Sequence, residues 1–201
     1  MKKLFLDLDD TYLDTDRFIR YTLALKGVSK EYWGIEDDIY TVANIPECKD
    51  IIKSCMSNYH AIPFKTGAKE SLKILQTEYI ITFVTSAFSN YEIQSKKKLL
   101  DSMKVPYIIT GRKKSHIDMS GGIQVDDHLG HLNQSNAEKK FFFYNKFEMN
   151  PKTATGTLEK DYTMVKDWFE LTDILMSGGE DNELREYICS RVQRICKASR
   201  V

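Results

Sequence analysis

The chain opens Lys3-Leu4-Phe5-Leu6-Asp7-Leu8-Asp9-Asp10-Thr11, an apolar run that ends abruptly in three carboxylates and a threonine. A short apolar segment with no polar face reads as a strand covered on both sides, as in the parallel sheet of an open α/β fold. In such sheets ligands bind beyond the carboxyl ends of the strands, so Asp7 and Asp9 fall where a site is expected. Carboxylates gathered at one point repel one another unless a cation offsets their charge. Mg²⁺, held by oxygen ligands beside phosphate, is the ion that suits such a cluster. An EF-hand reading fails. A calcium loop starting at Asp7 needs glycine at its sixth position and glutamate at its twelfth, where this chain has Tyr12 and Phe18.

Three more strand ends carry polar residues in a sensible order. Tyr79–Val84 reads as a buried strand ending in Thr85-Ser86, and Tyr107–Thr110 as a short strand before the basic turn Gly111-Arg112-Lys113-Lys114-Ser115. Gly122–Val125 reads as a strand ending in Asp126-Asp127, and Phe141–Tyr144 as a further strand. Ala68–Leu75 and about 91–103 read as helices between them. Two helices, 161–176 and 182–197, are expected to close the chain, with Ser177-Gly178-Gly179 as the stop between them. Strands alternating with helices predict a doubly wound, Rossmann-like parallel sheet. Between Asp14 and His60 the pattern is helical, with Gly27, Gly34 and Pro46 as punctuation. This region reads as a small helical cap of residues 15–62, inserted into an α/β core of residues 1–14 and 63–201.

Composition narrows the function classes. With 201 residues, 42% apolar and 29% charged, the chain has room for one main domain with a small insertion and a real core. Its net charge of zero argues against a dedicated nucleic-acid or membrane surface, which needs a basic face. No apolar segment has the length of a signal peptide or a membrane span, so a cytoplasmic protein is expected. Cys48 and Cys55, and Cys189 and Cys196, are each spaced by two helical turns and read as small buried hydrophobes rather than metal ligands or disulfides.

Asp7/Asp9, Thr85, Lys114 and Asp126/Asp127 together resemble the four motifs of the haloacid dehalogenase-like phosphohydrolases, over Leu4 to about Tyr144. A response-regulator receiver domain also has strand-end acids, a threonine and a lysine. It needs a phosphoacceptor aspartate at a strand end before the threonine, however, and residues 45–60 read as helical. The resemblance implies a Mg²⁺-dependent phosphatase with Asp7 as nucleophile forming an aspartyl phosphate and Asp9 as general acid and base. It also implies that the phosphoryl group is held by Thr85, Ser86 and Lys114. The metal is then bound by Asp7, the backbone carbonyl of Asp9 and Asp127, with Asp126 holding metal-bound water. Lys114 is preferred to Lys113 because Lys-Ser echoes the Lys-Thr of one branch of the family.

Within that family the chain is similar to the 5'(3')-deoxyribonucleotidases. The shared features are Val84-Thr85-Ser86, the basic turn, Asp126-Asp127, the strand ending in Tyr144-Asn145 and a Val165-Lys166-Asp167-Trp168 helix. The implied substrate is a small phosphomonoester, a nucleoside monophosphate, with Trp33 and Tyr32 as base-stacking candidates beside Phe18 and Tyr40. A homodimer stands open. Two positions depart from the branch: Asp10 where glycine is common, and Thr15 where the branch has an aromatic near the base. His128 and His131 read as surface groups or as neighbours of metal ligands, because Mg²⁺ prefers oxygen. Three alternatives remain: another small phosphorylated metabolite as substrate, a polynucleotide 3'-phosphate, or a non-catalytic relative that binds Mg²⁺ and a phospholigand.

Overall fold

The opening apolar run folds as β1 (Lys2–Leu6), flanked in parallel by β2 (Tyr79–Ser86) and β4 (Gly122–Asp126). The computed structural model describes residues 1–34, 39–111, 114–146, 148–149 and 154–177. Leu4 lies level with Ile81 and Ile123, and Leu6 with Phe83 and Val125; Leu4, Leu6, Phe83 and Val125 are wholly buried, as the absence of a polar face requires. Outward of these, β3 (Tyr107–Thr110) pairs with β2, β5 (Lys139–Phe143) with β4 and β6 (Thr163–Val165) with β5. The six strands form one parallel sheet in the order β3-β2-β1-β4-β5-β6. Helices connect them: α4 (Ala68–Leu75) precedes β2, α5 (Asn90–Met103) follows it, the short α6 (Leu129–Asn133) follows β4, and α7 (Trp168–Met176) follows β6.

Between β1 and α4 the regular elements among the described residues are helical, as expected: α1 (Thr15–Leu25), a 3₁₀ turn (Lys30–Tyr32), α2 (Ile39–Val42), α3 (Pro46–Met56) and a second 3₁₀ turn (Tyr59–Ala61). Ile19 and Leu23 of α1, and Cys48, Ile52 and Cys55 of α3, are buried at helical spacing, and the two helices pack together. The two ends of this helical stretch run side by side. Leu13 bridges Phe64, Asp14 N–H donates to the Pro63 carbonyl (2.9 Å) and Lys65 N–H to that of Tyr12 (2.9 Å). The apolar core continues from the sheet into these helices. Cys48 and Cys55 are buried free thiols; Cys189, Cys196 and the helix expected at 182–197 lie outside the described residues. Among the described residues, no helix is long and apolar enough to cross a membrane.

One expectation needs correcting. Residues 161–176 are not a continuous helix: Thr163–Val165 form the edge strand β6, and α7 begins only at Trp168. Three residues are too few to show a period, so β6 is made by its ladder to Phe141–Phe143. Asp167 marks the boundary, its carboxylate accepting from the Phe169 and Glu170 amides (both 2.9 Å) as an N-cap. Asp167→Ala should lower stability by about 1 kcal/mol. In a chain of this size that is a drop of roughly 2–4 °C in Tm, readable by calorimetry.

Trp168, wholly buried at the start of α7, reaches back to the opening motif. Its indole N–H donates to the Thr11 carbonyl (2.8 Å), and its ring meets Tyr12 edge-on at 5.5 Å. The loop after Asp9 is thereby anchored from a helix more than 150 positions away.

Candidate active site

Asp7 follows β1 directly, its amide donating to the Val125 carbonyl (3.0 Å) and carrying the β1–β4 ladder one step beyond the strand. The chain then turns tightly, Tyr12 and Leu13 N–H both returning to the Leu8 carbonyl. At Asp10 the turn needs φ of +53°, the left-handed region open to glycine and, among other residues, most readily to Asn and Asp. This is why an aspartate can stand where the similar motifs have glycine. Its carboxylate also accepts from the Asp16 amide (2.9 Å), tying the turn to the start of α1.

Because β1 lies between β2 and β4, three strand ends meet at one edge of the sheet. One carboxylate oxygen from each of Asp7, Asp126 and Asp127 lies within 4.8 Å of the others, and all three residues are buried. Lys114 Nζ bridges two of them, bonding Asp7 Oδ1 and, at 2.8 Å, Asp126 Oδ2. Lys113 lies outside the described residues. Asp126 also accepts from Gln124 Nε2 (3.1 Å) and the His128 amide (3.0 Å), with His131 Nδ1 at 3.3 Å. Asp127 accepts from Thr11 Oγ1 (3.2 Å) and Asn145 Nδ2 (2.6 Å).

The protonation pattern is that of too many acids for the cations present. Burial, with Asp126 and Asp9 nearby, pushes the Asp7 carboxyl up to about 6 despite Lys114. Burial and the charges of Asp7, Asp10 and Asp126 hold Asp127 well above the ordinary carboxylate range. Burial opposes the Asp126 charge as well, but Lys114 and His131 outweigh it and keep that carboxyl below the usual range. Burial likewise works against the Lys114 charge, and Asp126 and Asp7 outweigh it and hold the ammonium above the usual lysine range. Three converging carboxylates, two of them under repulsion, form a hard-oxygen donor set that fits a divalent cation such as Mg²⁺.

At the end of β2, Thr85 is wholly buried, and the buried Ser86 hydroxyl has no hydrogen-bond partner among the described residues. Asp9 is held at both oxygens, Oδ1 by the Thr15 hydroxyl (2.8 Å) and Oδ2 by Lys96 Nζ (2.6 Å). Thr15 therefore buttresses Asp9 at the position where the similar branch has a base-contacting aromatic. Lys96, Asn145, Thr11 and Gln124 are absent from the sequence-based site. For Lys96 a signal existed: Glu92, Ser95, Lys96 and Leu99 share the buried face of α5 at spacings of three and four. In the run Lys96-Lys97-Lys98 it passes for a solvated charge.

These groups open into a cavity of about 680 Å³. Asp7, Asp9, Thr85, Ser86, Asp126 and Asp127 line its floor, and Tyr21, Trp33 and Ile39 from the helical stretch between β1 and α4 line its wall. Arg20 stiffens that wall, its guanidinium bonding both Asp16 oxygens (2.9 Å each) and the Trp33 and Gly34 carbonyls (2.9 and 2.7 Å). Trp33 Nε1 is bound to the Val28 carbonyl (3.0 Å). Tyr32 and Phe18 do not line the cavity; both pack half-buried against the apolar core. The Tyr40 side chain lies outside the described residues.

A six-stranded parallel sheet flanked by helices, with acids converging at its strand ends, defines a Rossmann-like α/β fold. Solved structures that superpose on this chain include proteins described as haloacid dehalogenase-like hydrolases. A haloacid dehalogenase-like family hydrolase from Xanthomonas campestris superposes with a TM-score of 0.57 at 11% identity, over 96% of this chain and 98% of that one. A protein described as the HAD hydrolase YfnB of Bacillus subtilis, solved bound to magnesium, gives 0.56 at 12% identity, over 87% and 98%. One described as a phosphoglycolate phosphatase from Lactobacillus plantarum gives 0.54 at 13%, over 86% and 98%. At such identities the likeness is one of fold. The sequence matches no family model and no curated protein.

Proposed function

We propose that this chain is a Mg²⁺-dependent phosphomonoester hydrolase that works through an aspartyl phosphate on Asp7. The observation that carries this is the convergence of Asp7, Asp126 and Asp127 within 4.8 Å, with Lys114 bridging the first two and the Ser86 hydroxyl, at the adjoining strand end, without a partner among the described residues. Asp7, Asp127 and the Asp9 carbonyl would hold Mg²⁺, with Asp126 behind them in the grip of Lys114 and His131. Bound there, the ion offsets the charge of nucleophile and phosphate, which otherwise repel. An Asp7 oxygen attacks phosphorus as the ester P–O bond breaks, and Asp9 gives its proton to the departing oxygen. Asp9 then takes a proton from water as that water attacks the aspartyl phosphate, releasing phosphate and restoring Asp7. Thr85 and Ser86 donate to phosphoryl oxygens, and Lys114 offsets the charge that develops on them.

In this proposal residues 15–62 act as a cap over the site, and their wall selects the ester. A nucleoside monophosphate is the substrate favoured by the resemblance to the 5'(3')-deoxyribonucleotidases, and the support for it here is Trp33 in the cavity wall. A panel of deoxynucleotides, sugar phosphates, small phosphorylated acids and 3'-phosphorylated oligonucleotides, assayed with Mg²⁺, tests the choice. Trp33→Ala should raise KM for a deoxynucleoside monophosphate roughly 5- to 150-fold, the range for one lost base–aromatic stack. It should leave an aryl phosphate, which uses only the floor, little changed. Equal loss on both with a lowered Tm makes Trp33 a packing residue. Preference for a non-nucleotide ester overturns the nucleotidase assignment and leaves the phosphatase chemistry standing.

A further inference from the structure

Lys96, wholly buried on α5, has no part in the scheme above. A desolvated ammonium persists only where its charge and its donors are matched. Its Nζ meets four oxygens: Asp9 Oδ2 at 2.6 Å, Glu92 Oε1 at 2.9 Å, Thr85 Oγ1 at 3.2 Å and the Ser86 carbonyl. Glu92 is itself fixed, accepting from the Phe88 amide (2.8 Å) and the Tyr59 hydroxyl (3.3 Å). Ser95 Oγ, on the same face of α5, accepts from the Tyr59 amide (2.8 Å). One buried network thus joins the second 3₁₀ turn, the first turns of α5, Asp9 and Thr85.

The contacts are directional. By donating to Thr85 Oγ1, the ammonium leaves the single hydroxyl proton of Thr85 to point elsewhere. By holding Asp9 Oδ2 while Thr15 holds Oδ1, it fixes the plane of that carboxylate. We propose that Lys96 is a positioning residue: from α5 it sets the Asp9 carboxylate and the Thr85 hydroxyl in one register, with Glu92 as its buried counter-charge. This rests on the assignment of Asp9 as proton donor and Thr85 as phosphoryl donor.

Loss of that register should slow proton delivery more than attack by Asp7. Esters that need a proton on the departing oxygen suffer most. For Lys96→Met, kcat on a primary alkyl phosphate should fall roughly 10²-fold, the scale of a general-acid contribution, with KM within a fewfold of wild type. On p-nitrophenyl phosphate, whose leaving group departs without help, the fall should be under about 10-fold. The fraction of enzyme trapped by acid quench as aspartyl phosphate should rise on the aryl ester, because Asp9 also activates water. Lys96→Arg should recover part of the alkyl-ester rate.

Lys96→Met strands Glu92 in the interior, so Glu92→Gln/Lys96→Met, which removes both charges, carries the same measurement. Loss of the fold in both variants makes Lys96 a structural ion pair and overturns the proposal. Asp7→Asn separates the two levels of the argument. Hydrolysis that survives it overturns the function proposed for the site, and this role with it. Hydrolysis that Asp7→Asn abolishes, combined with equal or no loss on the two esters in folded Lys96→Met, overturns the role of Lys96 alone.

Discussion

Asp7→Asn is expected to leave a folded protein with no aspartyl phosphate and with phosphomonoester hydrolysis reduced at least ~10³-fold, the scale seen when a covalent nucleophile is removed. An amide oxygen is far too weak a nucleophile to replace the carboxylate; of the neighbouring acids, Asp9 is bound at both oxygens, Asp126 is held by Lys114, and Asp127 is bound by Thr11 and Asn145. The fold should not suffer. Burial, with Asp126 and Asp9 nearby, pushes the Asp7 carboxyl up to about 6 despite Lys114, so an uncharged isostere removes a poorly solvated charge at neutral pH. Lys114 keeps Asp126 as a partner. The expected signature is a Tm at or above wild type with activity gone, read by calorimetry, acid-quench trapping of labelled phosphate and steady-state assay. Activity near the wild-type level in Asp7→Asn would remove the nucleophile assignment.

Chelation is the second large effect. The protein should be inactive in EDTA and recover with Mg²⁺, with Ca²⁺ a poor substitute because its looser coordination misplaces the phosphate. The same carboxylates set a pH dependence of stability that needs no substrate. Asp7 titrates at about 6 in the fold against 3.8 ordinarily, and Asp127 is also raised. For a raised carboxyl, the folded state holds its proton more tightly than the unfolded chain does. Its stabilising share is therefore complete below the ordinary carboxylate range and is lost as pH rises through about 6. Asp126, held below the usual range, has the opposite sign and matters only in stronger acid. The metal-free protein should thus melt lower at pH 8 than at pH 5, Asp7 alone contributing about 1.4 kcal/mol across that window because roughly half of its share is already lost below pH 5. Added Mg²⁺ should raise Tm more at pH 8 than at pH 5. A metal-free Tm that climbs across that window would show that the three acids do not repel in the fold.

How far the site was legible depended on where each residue's partners lie. Asp7, Asp9, Thr85, Asp126 and Asp127 could be placed because each stands at the end of an apolar run, and strand ends are readable from local pattern. The basic turn before the acidic pair leaves Lys113 and Lys114 open, and Lys114 is preferred only through the resemblance of Lys-Ser to the Lys-Thr of one branch of the family. Lys96 could not be placed as readily, since a lysine among lysines on a charged helix signals solvent unless the neighbouring elements are known. Thr11 closes the opening motif and Asn145 ends a strand, but that both hold Asp127 could not be read, since they are separated from it by 116 and 18 positions. Thr15 read as a missing aromatic, and its hydrogen bond to Asp9 gives it a different task.

The sequence alone determined the alternation of buried strands and helices, the helical character of residues 15–62 and the strand ends on which polar residues cluster. These are properties of hydrophobic period and of capping and turn chemistry, which act over a few residues. The tertiary structure decided the rest. The order β2-β1-β4 brings the ends of the opening motif, Thr85-Ser86 and Asp126-Asp127 to one edge of the sheet. The ladder to β5 turns Thr163–Val165 into a strand where its own pattern suggested helix. Burial turns Lys96 from a solvated charge into the partner of Asp9. Each of these outcomes rests on contacts across long stretches of chain, where hydrogen-bond ladders and desolvation act on neighbours in space that need not be neighbours in sequence.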